Sequence, residues 1–170
     1  RPNLAPYSFF HGCGDAPPMV MFAQTGRKSR GEAEKDSIAN IRATGEFACN
    51  LVSRRLAEAM NLSSGTYAAG ADEFAIAGLT PVPGRAIAAP HVAGAPAVLE
   101  CRLVRILDDL PTWHARQSNV MVIGEVVGVH VDDAVVTEGR VDPLLFEPVA
   151  RMGYMEYTSV TAKFEMQRPG

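Results

Sequence analysis

The chain has 170 residues, 47% of them hydrophobic and 21% charged, which fits one globular domain with a real core and excludes a disordered polymer. A formal net charge of −3, with both signs mixed along the chain, provides no basic stripe that could follow a phosphate backbone, so a nucleic-acid partner is not expected. The longest apolar run, around residues 126–131, is interrupted by Gly128 and His130 and is too short to span a bilayer, so no membrane partner is expected either.

Residues 3–10 (Asn-Leu-Ala-Pro-Tyr-Ser-Phe-Phe) read as a strand-like run. Pro6 cannot donate to a sheet ladder, which puts that strand at an edge or a bulge and leaves backbone groups free for a ligand. Apolar runs at 19–23, 47–52, 97–107 and 120–131, each closed by Gly, Pro, Asp or Asn, read as further strands. Between the first two of these, Asp36 or Ser37 caps a helix that carries Ile38 and Ile41 on one side and ends at Gly45. Residues 55–62 suggest a second helix, with Leu56, Ala59 and Met60 at helical spacing. Residues 80–96, rich in Pro, Gly and Ala, read as a long connection with turns.

In 97–103, Leu99, Cys101 and Leu103 alternate with Glu100 and Arg102, which predicts one buried and one wetter face. Val104 and Ile106 then fall on the opposite parity, calling for a bulge near Leu103 or a second covered face. Residues 120–131 are apolar on both parities, so both faces are expected to be covered, one of them by a helix or a second subunit. Gly124 and Gly128 share a parity, as they would where the backbone coils sharply or a neighbour approaches. Strands outnumber helices without βα alternation, which favours a mainly β Greek-key barrel with helical additions over a doubly wound sheet.

The chemistry-bearing residues are few. Ser37 and Asn40 share the first turns of the predicted helix, whose free N–H groups carry partial positive charge, and Lys35 adds a full charge beside them: a target for a phosphate, or equally a capped surface helix. Asp36 would repel an anion and is assigned to capping. Arg30 reads as solvated, and Arg27 is left open between solvation and the phosphate site. Cys13, Cys49 and Cys101 form no CxxC pair and fit reduced thiols in a cytoplasm. His11 and Cys13 are the only close pair of metal-ligand types, and two ligands do not define a metal site. Trp113-His114 lies in a polar stretch between two strands, as a lid or as an exposed loop. No P-loop, Gly-x-Ser-x-Gly elbow or Gly-x-Gly-x-x-Gly turn occurs, so a nicotinamide would have no dinucleotide-binding fold of its own.

Residues 3–10, followed by Asp15-Ala16-Pro17-Pro18, resemble the N-terminal signature of the flavin reductase-like family, whose fold is the FMN-binding split barrel. Lys35-Asp36-Ser37-Ile38-Ala39-Asn40-Ile41, Gly45-Glu46-Phe47 with Asn50-Leu51-Val52, Asp72-Glu73-Phe74 with Ala77-Gly78-Leu79-Thr80-Pro81, Ile123-Gly124-Glu125-Val126, and residues 148–157 resemble further family blocks in the family's order. The resemblance implies a single domain over 1–170, a Greek-key split β-barrel, with another strand expected upstream of Arg1. It implies FMN as cofactor and a homodimer. Asn3, Ala5, Pro6, Tyr7 and Ser8 would then meet the flavin ring, Lys35, Ser37 and Asn40 its phosphate, and Arg151 and Tyr154 would lie close to the flavin, often across the dimer contact. Phe9 and Phe10 are left to the core or the subunit interface. His11 and Cys13 depart from the family pattern.

The activity this implies is an NAD(P)H-dependent flavin reductase, in which hydride passes from nicotinamide C4 to flavin N5 and no catalytic side chain is required. Two other classes share the fold: a flavoredoxin-like electron carrier reduced by a redox protein, and a split barrel that serves as a binding module without flavin.

Overall fold

The computed structural model describes residues 1–26, 34–68, 70–114 and 117–170; the readings made for Arg27 and Arg30 lie outside them. The strands are β1 (Phe9–Asp15), β2 (Pro18–Thr25), β3 (Glu46–Asn50), β4 (Pro81–Val82), β5 (His91–Val92), β6 (Ala97–Leu107), β7 (Asn119–Val131), β8 (Val136–Thr137), β9 (Arg140–Val141), β10 (Val149–Gly153) and β11 (Glu156–Ser159). The helices are α1 (Asp36–Thr44), α2 (Ala57–Ser63), preceded by a 3-10 turn at Arg54–Leu56, and the short α3 (Glu73–Ile76). The chain is thus mainly β with helical additions. A five-stranded antiparallel sheet in the order β1-β2-β7-β6-β3 forms its centre. No helix among the described residues is long and apolar enough to cross a membrane.

Both faces of this sheet are covered. Val20, Phe22, Phe47, Cys101, Val120 and Val122 pack with Ile38 and Ile41 of α1 on one face. Phe74 of α3 packs with Val92, Ala95 and Val98 in a second cluster. Phe47 and Ala48 are consecutive residues of β3 yet feed different clusters, as the alternation of a strand requires.

The parity slip in β6 is a bulge, since the β6–β7 register shifts between Leu103 and Arg105. A Cβ on Gly124 would collide with the Phe47 ring, and one on Gly128 would lie 2.8 Å from Glu100 Oε2. Gly124 therefore admits a side chain from β3, two strands away, and Gly128 one from the adjacent β6. Gly45, at φ 70°, ends α1 in the left-handed conformation, its N–H donating to Ile41 O.

Several readings are corrected. Residues 1–7 are not part of a strand: with Pro2 and Pro6 lacking donors, pairing begins only at Phe9. Of the two places open to Phe9 and Phe10, the core is ruled out, since they are 63% and 41% exposed on the edge strand β1, and the subunit interface is the one that stands. The N-cap of α1 is Lys35, which makes no side-chain cap bond, so Asp36 is the first helical residue and not the cap. Glu100 is not on a wetter face but is 3% exposed, because the 80–96 connection folds back over it as the β4–β5 pair. On β7 only Val129 is widely exposed in the single chain, at 63%, which is compatible with cover by a second subunit. Trp113 is 96% exposed and covers nothing in this chain.

Candidate functional site

The N-terminal arm crosses from one cluster to the other, with Leu4 packing against the Phe74 cluster and Tyr7 against the Phe22 cluster. The Tyr7 ring lies 4.5 Å from that of Phe22 at a tilt of 50°. This anchoring lays Asn3 and Tyr7 over the first turn of α1. The Asn3 amide satisfies both of its neighbours with its oxygen toward Ser37 Oγ at 2.6 Å and its nitrogen toward Glu73 Oε1 at 3.2 Å. Glu73 is 9% exposed. The Tyr7 hydroxyl is buried with the Ser37 hydroxyl as its polar neighbour among the described residues. Burial pushes its pKa above the ordinary phenol value.

Asn40, one turn further along α1, donates to Arg1 O at 3.1 Å and ties down the beginning of the arm. Lys35 Nζ donates to Thr25 O at 3.0 Å, placing the ammonium between β2 and the start of α1; burial lowers its pKa. The first amides of a helix have no intrahelical acceptor, and the Lys35 side chain does not cap them. Partial positive charge from the helix start and the lysine therefore coincide.

Among the predicted site residues, Asn3, Tyr7, Lys35, Ser37 and Asn40 meet around the start of α1, with Ala5, Pro6 and Ser8 in the same arm. Arg151 and Tyr154 lie elsewhere. They belong to the β10–β11 hairpin, where Arg151 donates to Tyr154 O at 2.6 Å and its guanidinium sits 5.9 Å from the Tyr157 ring centroid. That hairpin joins the end of β3 through Val149 N to Val52 O and the Ser53–Pro148 bridge. Among the described residues no hydrogen bond, ion pair or ring contact ties it to the Asn3–Tyr7–Ser37 cluster. Tyr154 is 93% exposed. From the sequence Glu73 enters only as part of the Asp72-Glu73-Phe74 block, with no role at the site. Its only local signal is a carboxylate beside Phe74, the apolar anchor of α3.

A second polar cluster lies on the other face. Glu100 accepts the N–H groups of Arg85 at 2.7 Å and Ala86 at 2.6 Å, and its Oε1 lies 2.7 Å from His91 Nε2. His130 stands 6.0 Å from His91, ring to ring.

The mainly β fold is that of the split-barrel FMN-binding domains. The model of the flavin reductase-like domain matches residues 1–152, and the chain belongs to that family, a class of flavin-related oxidoreductases. A protein of Deinococcus radiodurans is 42% identical over 170 residues, covering 98% of this chain and 71% of its own length. Nitrilotriacetate monooxygenase component B from Bacillus cereus superposes with a TM-score of 0.87 at 26% identity, over 96% of this chain and 79% of that one. The 2-nitrobenzoate 2-nitroreductase of Pseudomonas fluorescens gives 0.82 at 30% identity, over 98% and 77%. Flavoredoxin from Desulfovibrio vulgaris gives 0.79 at 25%, over 97% and 81%.

Proposed function

We propose that this chain is an FMN-dependent oxidoreductase, an NAD(P)H:flavin reductase that works as a homodimer in the cytoplasm. The observation that carries the reading is the meeting of the Asn3–Tyr7 arm with the lysine-flanked start of α1. The residues fit the cofactor. Lys35 and the first amides of α1 suit a phosphate, and the buried Tyr7 ring and the Asn3 amide hold the arm against them. Bound FMN would supply the redox chemistry, taking up hydride and passing electrons onward. The chain's own part is to grip the phosphate, hold the ring beside the arm and keep water away from it.

The open apolar residues Phe9, Phe10 and Val129 support a second subunit, which would also bring Arg151 and Tyr154 to a neighbour's site. Sedimentation that gave only monomer would remove that part. The decisive experiment is an absorption spectrum of the purified protein before and after anaerobic NADH or NADPH. A flavin spectrum that bleaches with either nicotinamide supports the reductase. A flavin that bleaches only with a reduced redox protein supports the carrier reading, which the likeness to flavoredoxin favours. A colourless protein that takes up no FMN ends both.

A further inference from the structure

The hydrogen bonds that join α3, the N-terminal arm and α1 run in one direction only. A carboxylate can only accept, so Glu73 fixes the Asn3 amide with its N–H₂ toward Oε1 at 3.2 Å. The amide oxygen is then turned to Ser37, and it too can only accept. Ser37 has a single proton, and at 2.6 Å that proton belongs to Asn3. The oxygen also takes the Leu4 N–H at 3.3 Å, which holds the amide in this orientation. What Ser37 has left to offer is two lone pairs, one within reach of the neighbouring Tyr7 hydroxyl and one for a ligand. A phosphate oxygen, itself only an acceptor near neutral pH, would meet them with repulsion.

We infer that Glu73 is a positioning residue that, through Asn3, makes Ser37 an acceptor toward the bound flavin, so that Ser37 receives a hydroxyl or N–H from the phosphate-free part of the molecule. The phosphate is then left to Lys35 and the backbone amides. This rests on the flavin reading above and reassigns one residue within it. It also accounts for the burial of Glu73, a charged side chain 9% exposed that the sheet core does not need.

The test compares two ligands that differ only in the phosphate, riboflavin and FMN, by quenching of flavin fluorescence on titration with wild-type protein, Ser37→Ala, Glu73→Gln and Lys35→Ala. Folding of each is checked by its urea midpoint. Losing one neutral hydrogen bond weakens binding about threefold to tenfold. Ser37→Ala is therefore expected to weaken riboflavin and FMN by the same factor. Lys35→Ala is expected to weaken FMN alone. Glu73→Gln, whose amide can present either end to Asn3, is expected to weaken both ligands in parallel, by less than Ser37→Ala. If Ser37→Ala lowers affinity for FMN and spares riboflavin, the hydroxyl serves the phosphate and the inference is overturned. It is also overturned if Ser37→Ala leaves both affinities intact, or if Glu73→Gln does. Wild-type protein that binds neither flavin refutes the proposed function itself, a different result from either of these.

Discussion

Replacing Glu100 with Gln should destabilise the domain heavily, although the substitution is nearly isosteric. Glu100 is 3% exposed and accepts from Arg85 N at 2.7 Å and Ala86 N at 2.6 Å, with His91 Nε2 at 2.7 Å from Oε1. These contacts hold the 80–96 connection against β6. Gln retains one oxygen for one side and turns an N–H₂ toward donors on the other. A charge-assisted hydrogen bond contributes about 1.5–3 kcal/mol, and a buried donor left unpaired costs about 1–3 kcal/mol. Relaxation of the connection recovers part of this, leaving a net loss of about 3 kcal/mol, a large share of a domain stability of about 5–15 kcal/mol. The thermal midpoint should fall by roughly 6–12 °C. The acid side gives a second, independent check. Burial on its own would raise the Glu100 pKa, but the two N–H groups and His91 outweigh it and hold the carboxyl below its ordinary value. A group depressed in this way contributes fully above its unfolded pKa of about 4.3, and the contribution disappears as pH falls through the lower folded value. Urea unfolding at pH 7 should therefore show the full gap between wild type and Glu100→Gln, and the gap should close progressively below about pH 4. A gap under about 0.5 kcal/mol at pH 7, or one that does not narrow in acid, would refute the argument.

Other expectations concern the sheet, the thiols and the arm. Gly124→Ala would drive a methyl group into the Phe47 ring and to 3.2 Å from Arg102 O, with an expected loss of about 1–3 kcal/mol in urea unfolding; stability equal to wild type would show that Phe47 has room to move. A thiol reagent added to native protein should label one cysteine rapidly, the exposed Cys13. Cys101 is buried, and its contact with Cys49, together with burial, pushes the Cys49 thiol far up. Rapid reaction of all three before denaturation would contradict that picture. Tyr7→Phe should leave the flavin-free protein as stable as wild type or raise its stability by up to about 1 kcal/mol, because among the described residues the buried hydroxyl makes no hydrogen bond of good geometry; a loss beyond about 1 kcal/mol would mean that it is bonded to the neighbouring Ser37.

Much of this architecture was legible because it is local. The four long apolar runs became β2, β3, β6 and β7, and the change of parity after Leu103 marked a bulge that the register displays. Gly45 ended a helix for the reason that its freedom at positive φ supplies. What escaped the sequence depends on partners distant along the chain. Glu100 alternates with apolar neighbours as a solvent-facing residue would, and only the return of Arg85, Ala86 and His91 over it converts that position into an interior one. Ser37 was read as a helix cap and as a phosphate ligand because both roles follow from its place in the first turn. Neither reading could know that Asn3, 34 residues earlier, takes its proton with the amide turned toward Glu73. A hydroxyl's spacing in the sequence fixes where it sits, whereas the direction of its hydrogen bond is decided by whichever neighbour can only accept. Here that neighbour traces back to Glu73, on a helix four residues long that no periodicity announces. The chemistry of such a site is therefore read from its donors and acceptors in sequence of contact, and the residue that sets their direction need not touch the ligand at all.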